Sequence, residues 1–115
     1  MVESISRGGI VYVKLEGTGS RQSGYRPVLV ISNNMCNKHS PVISVVPLTS
    51  KSSKKPIPTH KTIEKGIGNL KVTSIALCEA LTSLCKDSVM EKIGTVDTYT
   101  LAQINQGVMC QLGIC

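Results

Sequence analysis

Phenylalanine and tryptophan are both missing from this 115-residue chain, and tyrosine occurs only three times. Its core must therefore be aliphatic, built from Val, Ile, Leu, Met and Cys. The same scarcity argues against a platform that stacks several nucleic-acid bases, because only Tyr12, Tyr25 and Tyr99 could serve. Long apolar runs are lacking as well. The uninterrupted ones span a few residues, against the roughly 20 that carry a helix across a bilayer. Glu3, Ser4, Ser6 and Arg7 break up the N-terminal stretch, so it does not read as a secretory leader. The expectation is a cytoplasmic protein with no membrane partner, folded as one domain over residues 1–115.

Paired cysteines are also absent. Cys36, Cys78, Cys85, Cys110 and Cys115 are odd in number, form no C-x-x-C and have no histidine at finger spacing. A zinc site needs closely spaced soft ligands, so no metal is expected and the thiols read as small hydrophobes. Acid is scarce in the first half. Residues 1–65 hold ten basic side chains against Glu3, Glu16 and Glu64, whereas residues 66–115 hold three against four, and the chain carries +6. A basic half points to an anionic partner, nucleic acid or an acidic protein segment, although a merely solvated basic surface has the same composition.

What is present is a series of short β-branched runs. IVYVKL (Ile10–Leu15), PVLVIS (Pro27–Ser32) and VISVVPL (Val42–Leu48) are bounded by Gly, Asn, Ser and Pro and predict strands. Pro58–Ile63, Thr73–Leu81 and Lys92–Val96 are weaker strand candidates. This spacing favours a mainly β fold with helices, a small curved barrel or sandwich of the α+β class. From Asp97 onward the period changes. Leu101, Ile104, Val108, Met109 and Leu112 make one face of an amphipathic helix, with Asp97 or Thr98 to cap it and Gly113 to end it. Gly107 inside that helix costs roughly 1 kcal/mol against alanine, so tertiary packing must hold it. Ser88–Glu91 reads as a further helical turn.

The segment GTGSRQSGYRPVLVIS, residues 17–32, joins a glycine-broken loop to an apolar strand. A dinucleotide fingerprint fails because Gln22 stands where the last glycine belongs. A phosphate-binding P-loop fails because Tyr25 replaces the lysine and a strand follows. What remains is a polar loop closed by Arg26, which Pro27 biases toward extended backbone, so the guanidinium enters the sheet in a defined direction.

In order along the chain, RGGIVYVKL, GSRQSGYRPVLVISNN, NKHSPVISVVPLTS and PTHKTI resemble the MazF/PemK toxins of bacterial toxin–antitoxin systems. The likeness is best from Arg7 to about Ile63; beyond it, EKIGTVD followed by a helix is similar to the family's ending. The resemblance implies an SH3-like barrel with helical additions, working as a homodimer. It implies a metal-independent endoribonuclease, without cofactor, that cuts single-stranded mRNA and is silenced by a cognate antitoxin. Arg26 matches the family's catalytic arginine and Thr49 its catalytic threonine; Ser20 and Gln22 match polar loop positions beside the substrate groove. Arg21 stands where relatives commonly have glutamate, Gly8 and Gly9 lack the acid of an R-G-D, and Thr82 replaces a later arginine while Glu79 is kept. Arg21, Lys51, His60 and Glu79 are the further candidates for contact with RNA. Lys51, Lys54 and Lys55 form a basic loop that could steer RNA by charge. His60 sits in a PTH context typical of the family's loop-to-strand junction, with a structural or rim role, and Glu79 otherwise reads as a strand-end charge.

Metal-free cleavage uses the RNA's own 2′-hydroxyl as nucleophile and leaves a cyclic phosphate and a 5′-hydroxyl. A guanidinium suits that task, because its planar fork binds two phosphate oxygens and keeps its charge at neutral pH. Two other readings of the same barrel stay open. One is a non-enzymatic toxin that grips a protein target, in the manner of the related CcdB toxins; the other is a catalytically decayed module that only binds RNA or antitoxin.

Overall fold

The structure is a computed structural model that describes residues 4–15, 24–50 and 57–114. In β1 (Gly9–Leu15) Ile10 enters a first apolar cluster while Val11, Val13 and Leu15 enter a second. The next two strands divide the same way. In β2 (Gly24–Val30) Leu29 faces the first cluster and Val28 and Val30 the second; in β3 (Val42–Thr49) Val46 and Leu48 part from Ile43 and Val45. A sheet buried on both faces needs continuous apolar runs rather than alternation, which is why these strands read so clearly.

Four shorter strands extend the sheet: β4 (His60–Ile63), β5 (Ser74–Leu77), β6 (Thr82–Cys85) and β7 (Val89–Thr95). The order is β4-β5-β3-β2-β1-β7, antiparallel throughout, with β6 also on β3. β3 changes partner along one edge. Its Val42–Val45 half pairs β6 and its Leu48–Thr49 end pairs β5. Pro47, which has no amide hydrogen to give a ladder, stands in the gap between them.

The α+β class is as expected, but among the described residues the barrel is not closed. β4 and β7 lie at opposite ends of the sheet and do not pair. The first cluster is instead covered by α2 (Thr98–Leu112), whose Ile104 is fully buried, with Leu101 and Val108 beside it. Asp97 caps this helix by accepting from the Thr100 amide at 2.9 Å, and Gly113 ends it. Gly107 is explained by packing: a Cβ there would lie 2.6 Å from Sγ of Cys78. Glycine lets α2 approach the sheet closely, and that contact offsets its poor helix propensity.

Three local expectations change. Ser88 ends a 3-10 turn (Lys86–Ser88), and Val89 onward is strand, because Val89 pairs with Val13. The strand expected over Thr73–Leu81 stops at Leu77, where Cys78–Ala80 turn. A short helix, α1 (Asn34–His39), follows β2 and is capped by Asn33, whose side chain accepts from the Cys36 amide at 2.8 Å. Among the described residues no helix is long and apolar enough to cross a membrane.

Candidate functional site

Arg26 begins its path in the paired core of the sheet. Val28 opposes Pro47 in the β2–β3 ladder, and the same register carried two residues further sets Arg26 across from Thr49. The β2–β3 pairing stops at Val28, while Thr49 is held on its other side by Ile75 of β5. A cleft of about 570 Å³ opens here, and both Arg26 and Thr49 line it. Thr49 is buried and Arg26 half-buried. A fixed cation and a hydroxyl therefore share one concave surface.

The rest of that wall comes from segments distant in sequence. Tyr12 of β1 and Glu91, Lys92 and Ile93 of β7 line it, as do Ser50, Asn69, Lys71 and Ser74. Two added lysines strengthen its attraction for phosphate. Sequence reasoning missed them because Lys92 reaches the cleft only through the pairing of β7 with β1, where Tyr12 opposes Glu91, and Lys71 only through the segment that leads into β5. No local pattern encodes that register. Next to that wall two backbones approach closely: a Cβ at Gly94 of β7 would lie 2.3 Å from the Gly68 carbonyl oxygen. Asn69 reinforces the contact by donating from Nδ2 to the Ile93 carbonyl at 3.0 Å.

His60 and Glu79 are brought together, but not into this cleft. His60 Nε2 and Glu79 Oε2 are 2.7 Å apart, and the Thr59 hydroxyl donates to Glu79 Oε1 at 3.1 Å. Burial raises the Glu79 carboxyl pKa, but hydrogen bonds from His60, its own backbone and Thr59 outweigh this and leave it below the ordinary value of 4.5. The ionised carboxylate makes Nε2 of His60 the donor, and Nδ1 is buried without a partner among the described residues. Glu79 lines a neighbouring cleft of about 820 Å³ with Lys14, Tyr25, Pro47 and Thr82. Ser20, Arg21, Gln22 and Lys51, with Lys54 and Lys55, lie outside the described residues.

Among the described thiols, Cys36 and Cys85 are exposed and Cys78 is buried. Burial, with help from the Glu79 and Cys110 charges and against Lys61, pushes the Cys78 thiol up to about 11. It packs under α2 as a small apolar group and contributes no nucleophile.

Comparison with known proteins agrees with this geometry. The pattern of the PemK-like, MazF-like toxins of type II toxin–antitoxin systems matches residues 6–112. The endoribonuclease MazF of Staphylococcus saprophyticus is 35% identical over 96 residues, 84% of this chain and 80% of that protein. Among solved structures, a mycobacterial endoribonuclease in complex with its cognate antitoxin superposes with a TM-score of 0.81 at 26% identity, covering 97% of this chain and 98% of the other. MazF of Deinococcus radiodurans gives 0.82 at 25% identity, over 96% and 97%. By its sequence and its fold, the chain belongs to the MazF/PemK family of toxins.

Proposed function

We propose that this chain is the toxin of a toxin–antitoxin pair, an endoribonuclease that cuts single-stranded mRNA in the cytoplasm, works as a homodimer over residues 1–115, and is silenced by its antitoxin. Membership of the family and 35% identity to an endoribonuclease support the activity. The observation that carries the chemistry is the shared cleft of Arg26 and Thr49.

In the proposed reaction the 2′-oxygen of one ribose attacks the adjacent phosphorus. The O2′–P bond forms and the P–O5′ bond breaks. The 2′-hydroxyl proton leaves to solvent and the departing 5′-oxygen gains one, which gives a 2′,3′-cyclic phosphate and a 5′-hydroxyl. Arg26 clamps two non-bridging oxygens as they gain charge, and the Thr49 hydroxyl donates to one of them or holds the nucleophile in line. A preorganised donor of this kind contributes about 3–4 kcal/mol to the transition state. No metal enters these steps.

Long RNA incubated with the protein and excess EDTA tests the reading. Fragments with cyclic phosphate and 5′-hydroxyl ends are expected, and Arg26→Ala lowers the rate at least ~100-fold. Intact RNA at high protein concentration would return the case to a non-enzymatic toxin or a binding module. An Arg26→Ala variant that no longer folds would make the arginine structural.

A further inference from the structure

The two clefts meet at a pair of tyrosines. Tyr12 lines the Arg26–Thr49 cleft, Tyr25 lines its neighbour, and the two rings stack with centroids 6.3 Å apart and planes within 17° of parallel. At that separation the rings are offset rather than overlaid, so each leaves part of its face uncovered. Lys14, directly across the ladder from Tyr25, holds its ammonium 5.9 Å from that ring's centroid. Tyr25 is nevertheless 55% exposed. Of the three aromatic rings in a chain with no Phe and no Trp, Tyr25 and Tyr99 face solvent, and Tyr25 is the one that stands beside Arg26.

We propose that Tyr25, backed by Tyr12 and Lys14, seats one base of the bound single-stranded RNA, that of a nucleotide whose phosphate reaches Arg26. The inference rests on the reading of the chain as an RNA-cutting protein and adds a specificity-determining residue to it. Successive strand residues point to opposite sides, so Tyr25 and Arg26 present a flat apolar face and a cation on either side of one short stretch of backbone. A nucleotide has the matching parts, a planar base and a phosphate on a flexible linker. The alternative occupants fit less well. An apolar protein surface, whether of another protein or of a second copy, would bury the Lys14 and Arg26 charges.

The lack of tryptophan makes tyrosine emission a direct probe. The test uses a mixed-sequence, fully 2′-O-methyl RNA of roughly 12 nucleotides, within the size range of such surfaces and unable to be cut. It is expected to quench tyrosine emission and to bind Tyr25→Phe about as well as the parent protein. Tyr25→Ala should bind about 5- to 100-fold more weakly. Its salt dependence should be unchanged, because the phosphate contacts remain. Lys14→Ala should instead flatten the salt dependence. Equal affinity of Tyr25→Ala and parent overturns the proposal, as does an equal loss in Tyr25→Phe, or a change in oligomeric state with RNA affinity intact. Failure to cut unmodified RNA would defeat the nuclease reading alone, because the titration decides the base seat separately.

Discussion

Nε2 of His60 and Oε2 of Glu79 sit 2.7 Å apart, tying the first residue of β4 to the turn that follows β5. The His60 side chain is 10% exposed and that of Glu79 37%, so the bond is half in water. A carboxylate engaged this fully by His60 and Thr59 suits a framework role better than direct RNA contact. Solvent screening limits the pair to about 0.5–1 kcal/mol. His60→Ala is expected to lower the unfolding free energy read from urea titration by that coupling plus the lost packing, about 1–2 kcal/mol in total, while cleavage by the folded fraction keeps its kcat. A collapse of kcat with stability intact would place His60 in the chemistry.

Acid should unfold this protein through its depressed carboxylates. Asp97 lies below its ordinary 3.8 because the Thr100 hydroxyl and amide donate to it, and Glu79 lies below 4.5. A group lowered in the folded state contributes its stability in full above its ordinary pKa and loses it as pH falls through the lowered value. Thermal midpoints should therefore hold near neutral pH and fall below about pH 4.5. Asp97→Asn keeps a capping oxygen but cannot titrate, so its acid limb should be shallower. An identical acid limb in the variant would remove Asp97 from the account.

Gly94 is irreplaceable on steric grounds. An added methyl meets backbone, the Gly68 carbonyl oxygen at 2.3 Å and its carbon at 2.6 Å, rather than a side chain that can swing away. Gly94→Ala should cost about 2–3 kcal/mol, read as a lower denaturant midpoint. It should also weaken RNA cleavage, because Ile93, Asn69 and Lys92 on that wall shift with it.

Thiol labelling should sort the cysteines by burial. In native protein Cys36 and Cys85 should react with iodoacetamide, while Cys78, buried and pushed up to about 11, should stay unmodified until denaturant is added. Rapid native labelling of Cys78, mapped by mass spectrometry, would mean that α2 lifts from the sheet.

The parts legible in the sequence are those fixed by local rules. β1, β2 and β3 announce themselves because Val, Ile and Leu fill both faces, and α2 because Asp97 and Gly113 mark its ends. Arg26 stands out because Pro27 freezes the backbone beside it. Elements set by distant partners did not show. β6 alternates half-buried and exposed residues over four positions and exists because Val42–Val45 pair with it. Val89 joins a strand only through Val13, and Lys92 reaches the Arg26 cleft only through that same β1–β7 pairing. An open sheet in place of a barrel is likewise a matter of which edges meet, and no single strand encodes it.

Because the sheet stays open, it exposes termini of its ladder where stray β-segments could add on and seed fibres. The chain blunts both ends. At β7 the exposed charges of Glu91 and Lys92 stud the strand, and the amide of Asn69 already occupies the Ile93 carbonyl. At β4 only four residues are offered, Lys61 among them, and α2 lies against it through Gly107. Accretion at either of these ends would have to desolvate those charges with no new counter-ions to meet them, which disfavours polymerisation through β4 or β7.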